Sequence, residues 1–281
     1  MMHGKVTDSN VPHRFIEPTV VTMPLDISGS MNKISDQIGV IKPDIIINLV
    51  AMTNVDLCET EKELADRVNH LFVKDLDRSI SQVNPDCFIL QVSTDYVFDG
   101  QKGNYAENDE TNPLGWYGLT KLRGEEELIH GRSRKWCIVR TSTPFGIHEK
   151  KQSFPVFVAK NLIEGKQIKV LKDQRTSPTY CQNLAEMLFD IVSNNERFTS
   201  QIIHASGSSQ LSRFEQATMI ARELGFKTDL IHPSFMTEMN WKAKRPKDST
   251  LNVAKASDSL LHKPQTFIEG LQAFSKEFQM S

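Results

Sequence analysis

One octapeptide constrains the fold more than any other feature of the chain: Asp44-Ile45-Ile46-Ile47-Asn48-Leu49-Val50-Ala51. Its apolar, largely β-branched residues follow one another without the alternation of a half-exposed strand. Such a run predicts a strand covered on both faces, as in a parallel sheet. Three further runs have the same character: Cys87-Phe88-Ile89-Leu90-Gln91-Val92, Trp136-Cys137-Ile138-Val139-Arg140 and Gln201-Ile202-Ile203-His204-Ala205. Between them the apolar spacing turns helical. Leu64, Val68, Leu71, Phe72 and Leu76 mark a helix over 59–82, and Phe214, Met219, Ile220 and Leu224 another over 212–224. Residues 117–130 and 181–194 are helix-like as well. Strands alternating with helices predict βαβ units, and so an α/β fold with a doubly wound parallel sheet.

Composition removes several classes of function. The chain carries 33 Lys and Arg against 35 Asp and Glu, a net charge of −2. A non-specific nucleic-acid binder usually shows a basic excess, so no nucleic acid is expected. Charge-driven attachment to a membrane is equally unsupported, and no stretch approaches the ~18 apolar residues of a span. Met1-Met2-His3-Gly4-Lys5 lacks the apolar core of a signal peptide. Cys58, Cys87, Cys137 and Cys181 lie far apart with no C-x-x-C pair. Reduced cysteines in a cytoplasmic protein, with no structural metal, is the economical expectation.

In open α/β sheets ligands sit beyond the carboxyl ends of the strands. Those ends here are Ala51-Met52-Thr53, then Ser93-Thr94-Asp95-Tyr96-Val97-Phe98-Asp99-Gly100, then Thr141-Ser142-Thr143-Pro144-Phe145-Gly146. Hydroxyls and small side chains suit a polar ligand, although ordinary strand-ending loops can look the same. The Pro-bearing loops 104–116 and 141–155 are where a ligand is expected to be handled. Tyr117-Gly118-Leu119-Thr120-Lys121 adds a reactive pair. On a helix, Tyr117 and Lys121 share a face at i and i+4. A phenol ordinarily titrates near ~10. A neighbouring ammonium favours the phenolate and makes the phenol a tuned general acid. A hydroxyl from Ser93-Thr94 could bind the same substrate oxygen.

These segments resemble a known signature. Ser93 to Gly100, followed by Pro113-Leu114-Gly115-Trp116-Tyr117-Gly118-Leu119-Thr120-Lys121-Leu122-Arg123-Gly124-Glu125, is similar to that of the dTDP-4-dehydrorhamnose reductases, which are extended short-chain dehydrogenases/reductases. Pro43 to Asp56 with Glu59 and Asn69, Arg140-Thr141-Ser142, Asp173-Gln174 with Ser177-Pro178-Thr179, and Lys244-Arg245-Pro246 with Leu251-Asn252 continue the likeness in order. The resemblance implies a Rossmann-like cofactor half, 1–143 with 179–205, and a smaller substrate lobe, 144–178 with 206–281. It implies hydride transfer from NADPH or NADH to the C4 ketone of dTDP-4-dehydro-6-deoxy-L-mannose, giving dTDP-L-rhamnose.

By the same likeness Tyr117 donates the proton, Lys121 lowers its pKa and holds the nicotinamide ribose, and Thr94 hydrogen-bonds the ketone oxygen. Asp26, Ile27, Ala51, Met52, Thr53 and Val92 are implied beside the cofactor. Thr94, Asp95 and Thr143 are implied beside the substrate, and Arg245 as the fork on its diphosphate. Asp95 and Asp99 could touch a Mg²⁺, though a loop turn is their simpler role. A homodimer is an open possibility. Trp116, Trp136 and Trp241 read as packing residues, and Glu125-Glu126-Glu127 as a solvated helix face.

One departure matters. The family opens with a Gly-rich turn that cradles the pyrophosphate, whereas residues 1–30 hold only Gly4 and Gly29. The first strand is expected to be missing, and with it tight NADPH binding. Either the chain is a truncated or mis-started reductase, or it is a genuine short form. A non-catalytic alternative follows: a sugar-nucleotide or NADP binder resembling the regulatory subunit of methionine adenosyltransferase, which keeps Tyr-x-x-x-Lys and acts by binding a partner enzyme.

Overall fold

Residues 31–148 and 152–280 are described by a computed structural model of the chain. The described part opens with helix α1 (Met31–Ile41), strand β1 (Ile45–Asn48), α2 (Val55–Thr60) and α3 (Lys62–Asp66). A π-helical turn, Arg67–Leu71, joins α3 to α4 (Phe72–Val83), and β2 (Phe88–Thr94) follows. Helix α5 (Trp116–Ile129) leads into β3 (Lys135–Thr141) and β4 (Pro144–Phe145). Next come α6 (Phe154–Ile163), β5 (Ile168–Leu171), β6 (Arg175–Thr176), β7 (Thr179–Tyr180), α7 (Cys181–Ser193) and α8 (Asn195–Phe198). The chain then runs through β8 (Gln201–His204), β9 (Leu211–Ser212), α9 (Arg213–Glu223), β10 (Ile231–Ser234), α10 (Ala254–Ser259) and α11 (Phe267–Met280).

The four apolar runs form one parallel sheet in the order β1-β2-β3-β8. Strands β2 and β3 are covered on both faces, as a continuous apolar run requires. Strand β1 corrects that expectation. Its Ile46 and Asn48 face inward, Ile46 packing against the cluster built on α1 and α4. Its Ile45 and Ile47 remain 36% and 45% exposed. Among the described residues β1 pairs only with β2, and apolar side chains cover only one of its faces.

Phe72, Leu76, Ile80 and Leu128 fill one side of the sheet; Met187, Leu188 and Ile191 of α7, with Ala256 and Leu260, fill the other. A third cluster, with Phe145, Tyr180, Ile220, Phe267 and Phe274, binds α6, α9 and α11 around the β5–β10 pair. No helix among the described residues is long and apolar enough to cross a membrane.

The predicted helix over 59–82 is interrupted by the π turn, whose extra residue swings one side chain inward, as such turns do at functional sites. That side chain is Asn69. Its amide accepts from the Met52 backbone N–H (2.8 Å) and donates to the Met52 carbonyl (3.2 Å) and the Thr120 hydroxyl (3.1 Å). One buried amide therefore clamps the turn after β1 to α5.

Asp56 and Glu59 each take a separate task. Helix α5 has no side-chain cap of its own, and Glu59 supplies an acceptor from outside: its Oε2 accepts from the Trp116 N–H at 2.9 Å. A carboxylate at a helix N-terminus is favoured by the exposed N–H groups and the dipole. Asp56 holds the 242–247 loop, accepting from the Lys242 and Ala243 N–H groups (3.0 Å each) and from both terminal nitrogens of Arg245 (3.0 and 2.8 Å). The Arg245 guanidinium and these amides hold the Asp56 carboxyl down at about 2. A carboxylate with a lowered folded pKa stabilises above its ordinary value near 3.8 and loses that contribution as the pH falls towards 2. Asp56→Asn is expected to cost about 1–2 kcal/mol at neutral pH, after allowance for solvent screening. It should also free the 242–247 loop to proteases. Thermal melts at pH 7 and at pH 2.5 check this, the difference between variant and wild type shrinking at the acid end.

Candidate active site

The carboxyl ends of β1, β2 and β3 open into a cavity of about 730 Å³. Thr94, Tyr117 and Lys121 all line it, with Ala51, Thr53, Val92, Asp95 and Thr143. Local geometry brings them there. Strand β2 ends at Thr94, which caps the short turn behind it by accepting from the Tyr96 N–H at 3.2 Å. Helix α5 crosses that turn closely enough that a Cβ on Gly118 would strike the Tyr96 carbonyl oxygen. The two elements therefore present Thr94 and Tyr117 side by side, and the Tyr96 and Tyr117 rings meet edge-on with centroids 5.7 Å apart.

The electrostatics differ from the expected picture. The Lys121 ammonium donates to the Val92 carbonyl at 2.7 Å rather than attending the phenol. Burial pushes the Tyr117 phenol well above its ordinary value, and the Thr94 hydroxyl pulls in the opposite direction. The tuning assigned to Lys121 from sequence thus falls here to Thr94. Burial lowers Lys121 itself to about 8, partly offset by Glu125. At neutral pH the site holds a protonated phenol and a charged ammonium.

Asp95 acts as a knot. Its buried carboxylate accepts from the hydroxyls of Ser142 (2.8 Å), Ser249 (2.6 Å) and Thr94 (3.1 Å), tying the ends of β2 and β3 to the C-terminal loop. Burial raises its pKa and those hydroxyls oppose the rise. Asp99 accepts from the Tyr105 hydroxyl (2.6 Å) and the Gln101 N–H (3.0 Å), a turn-building role. Among the described residues no group of three His, Cys, Asp or Glu is gathered for a metal ion, so the suggestion of Mg²⁺ beside Asp95 and Asp99 finds no support.

Three residues and one loop stand elsewhere than expected. Met52 is 4% exposed and packs into the cluster of Cys58, Ala65 and Val68 rather than against the cavity, because Asn69 grips its backbone from that side. Arg245 is spent on Asp56 and on the Trp241 ring, 4.2 Å away, and does not line the cavity. Glu125, assigned to a solvated face, is fully buried on Arg140; of its two neighbours only Glu126 is exposed. The described residues of loop 141–155 do line the cavity, but loop 104–116 instead borders a smaller hollow around Asp99 and Asp109. Asp26, Ile27 and the rest of residues 1–30, where a glycine turn is expected to be missing, lie outside the described residues.

Sequence reasoning missed Arg213 and Gln216, both in the cavity wall. Arg213 donates to the Gln216 side-chain amide oxygen Oε1 at 3.1 Å and lies over the Phe154 ring at 4.6 Å. Among the described residues no carboxylate is within ion-pair distance of it. Burial lowers its pKa, with Tyr96 and Asp95 the charges that oppose this. A legible signal was available: Ser212-Arg213-Phe214-Glu215 is a capping box, which the structure forms in full. A box places the residue after its serine at a helix start. Thr143, also in the wall, sits at a φ of 38° with its hydroxyl 3.3 Å from that of Thr176. A β-branched residue in that region is strained and persists only where its surroundings hold it.

The chain is similar to known proteins over most of its length. The profile of the family described as "RmlD substrate binding domain" matches residues 15–280. The dTDP-4-dehydrorhamnose reductase of Mycobacterium tuberculosis is 32% identical over 215 residues, 74% of this chain and 68% of that protein. A crystal structure of dTDP-4-dehydrorhamnose reductase from Bacillus anthracis, in complex with NADP, superposes with a TM-score of 0.82 at 29% identity, covering 90% of this chain and 87% of that one. The methionine adenosyltransferase 2 subunit beta of Xenopus tropicalis is 28% identical over 196 residues, 68% of this chain and 58% of that protein.

Proposed function

The chain belongs to the RmlD substrate binding domain family, the dTDP-4-dehydrorhamnose reductases, and from that premise we propose that it reduces the C4 ketone of dTDP-4-dehydro-6-deoxy-L-mannose at the expense of NADPH or NADH. As an oxidoreductase of this family it acts on a sugar nucleotide. The observation that carries the reading is the convergence of Thr94, Tyr117 and Lys121 on one cavity.

The residues present fit a nicotinamide. Ala51, Thr53 and Val92 make a floor of small side chains, and the Lys121 ammonium is anchored at its edge on the Val92 carbonyl. When bound, a reduced nicotinamide supplies the hydride. Negative charge then develops on the former ketone oxygen. Tyr117, kept protonated by burial, delivers its proton to that oxygen. Thr94 turns its hydroxyl from Asp95 to the same atom, and Asp95 keeps it within reach. Donors aimed at an oxygen where charge appears stabilise the transition state more than the ketone. Lys121, anchored on the Val92 carbonyl, would hold the ribose of that nicotinamide. We assign 1–143 with 179–205 to the cofactor half and 144–178 with 206–281 to the substrate lobe, which contributes Phe154, Arg213 and Gln216.

Arg213 replaces Arg245 as the cation for the diphosphate, because a half-buried guanidinium with no carboxylate partner among the described residues is costly until an anion meets it. Arg213→Gln is expected to raise KM for the nucleotide sugar about 10–100-fold with kcat changed far less, the signature of binding shared by ground and transition states. Steady-state kinetics separate the two constants. The reading as a whole is tested by following loss of reduced nicotinamide absorbance with the 4-keto sugar nucleotide. Turnover supports it. Tight binding of the sugar nucleotide without turnover would favour the non-catalytic alternative, a sugar-nucleotide binder.

A further inference from the structure

Behind the cavity wall lies a buried ionic cluster that the proposed reaction does not use. Glu125 and Arg140 are 0% and 3% exposed and form a two-pronged pair: Arg140 Nε lies 3.1 and 3.2 Å from the two carboxylate oxygens, and a terminal nitrogen 2.7 Å from Oε2. The Ser93 hydroxyl donates to the same carboxylate. Arg140 is held further by the Glu107 carbonyl (3.3 Å) and lies over the Phe98 ring. Sheet register makes this possible, since Ser93 and Arg140 are direct partners across β2 and β3.

The cluster touches the active site through Lys121. Tyr117, Lys121 and Glu125 succeed one another at four-residue steps along α5, so they form one line on the helix. The anchor of Lys121 and the partner of Glu125 are consecutive residues on β2: Val92 accepts from Lys121, and Ser93 donates to Glu125. Lys121 is 4% exposed, and its one hydrogen-bond partner among the described residues is a neutral carbonyl. A buried ammonium so placed depends on the nearest anion.

We propose that the Glu125–Arg140 pair is a positioning device for Lys121: Glu125 keeps the ammonium charged and aimed along β2 into the cavity, and Arg140 with Ser93 limits how strongly it does so. The other titratable groups at this end of α5 carry no compensating negative charge next to Lys121. Tyr117 is a neutral phenol, and Cys58 on α2 is a neutral thiol pushed up to about 11 by burial. Tyr96 behind β2 is pushed up to about 12 by burial, and Asp95 is committed to three hydroxyls. His204 on β8 faces Arg140 and is held neutral, at about 3, by burial and by that guanidinium. Burial and Glu125 are what set the proton affinity of Lys121.

The consequence for catalysis rests on the role proposed above for Lys121, but the decisive measurement does not. Lysine labelled at the ε-carbon, assigned with Lys121→Met, reports the Lys121 titration midpoint by magnetic resonance in the protein alone. Glu125→Gln is expected to lower that midpoint by about one pH unit or more, since the negative charge that favours the ammonium is then gone. Arg140→Met is expected to raise it, since Glu125 then acts on Lys121 undivided. A purely structural pair would destabilise the fold in both variants and move neither midpoint. Unchanged midpoints in folded variants, or shifts of the same sign, overturn the proposal. Glu125→Asp keeps the charge at shorter reach and should lower the midpoint by less; an unchanged midpoint there also overturns it. The alkaline limb of kcat should follow these shifts. Opposite shifts in a protein that turns over no substrate would sink the reductase reading and leave this one standing.

Discussion

Tyr117→Phe is expected to lower kcat for ketone reduction by about 10²–10⁴-fold, the range of a positioned proton donor, with KM and melting temperature near those of the wild type. The ring accounts for the second half of that statement. Tyr117 meets Tyr96 edge-on and packs with Met52 and Cys58, and a phenyl ring keeps those contacts. The hydroxyl accounts for the first. Burial keeps the phenol protonated through neutral pH, so its task is to give a proton rather than to hold a negative charge. Without it, Thr94 alone faces the developing alkoxide. The pH profile carries a second signature. Lys121 titrates near 8, so its ammonium is lost as the pH rises through that value, and kcat should decline on that side. Single-turnover rates with circular dichroism and a thermal melt separate chemistry from folding. If the variant keeps kcat within twofold, Tyr117 is not the acid.

What could be read in the chain follows the distance over which each feature is decided. Strands β1, β2, β3 and β8 are written in runs of four to seven residues, and the Tyr117–Lys121 pair in five. Such features need no knowledge of the rest of the molecule. Arg245 shows the opposite case. Its fork suits a phosphate as well as a carboxylate, and the carboxylate that captures it lies 189 residues earlier. Met52 was misplaced because the amide that turns its backbone, on Asn69, comes from a π turn that helical spacing does not announce. Glu125 is more instructive. The four-residue step that joined Tyr117 to Lys121 extends one turn further to Glu125, so its inward face could be read locally. The run of three glutamates, with its appearance of a solvated surface, hid it. Arg213 was marked by a capping box, but only the fold shows that this helix start opens onto the cavity.

Gly118→Ala should be far more damaging than one added methyl suggests. Alanine favours a helix interior over glycine by about 1 kcal/mol, so the exchange would stabilise an unobstructed helix. Here the new Cβ points at the Tyr96 carbonyl oxygen, and at Pro113 on its other side. A backbone oxygen cannot swing away as a side chain can, so α5 must move. Overpacking of this kind costs about 1–3 kcal/mol, more than the propensity gain. The functional cost is larger than the structural one. Helix α5 carries Tyr117 and Lys121, while the turn it would be pushed from carries Thr94. A displacement of about 1 Å between catalytic groups can cost about 10²-fold in rate. A fall in kcat of that order is therefore expected, with a drop in melting temperature of only several degrees. Gly39→Ala in α1 is the matching control: nothing lies within 4 Å of a Cβ there, so melting temperature should hold or rise and kcat should not change. If both variants behave alike, the close crossing of α5 over the Thr94 turn is not what fixes the distance between proton donor and hydroxyl.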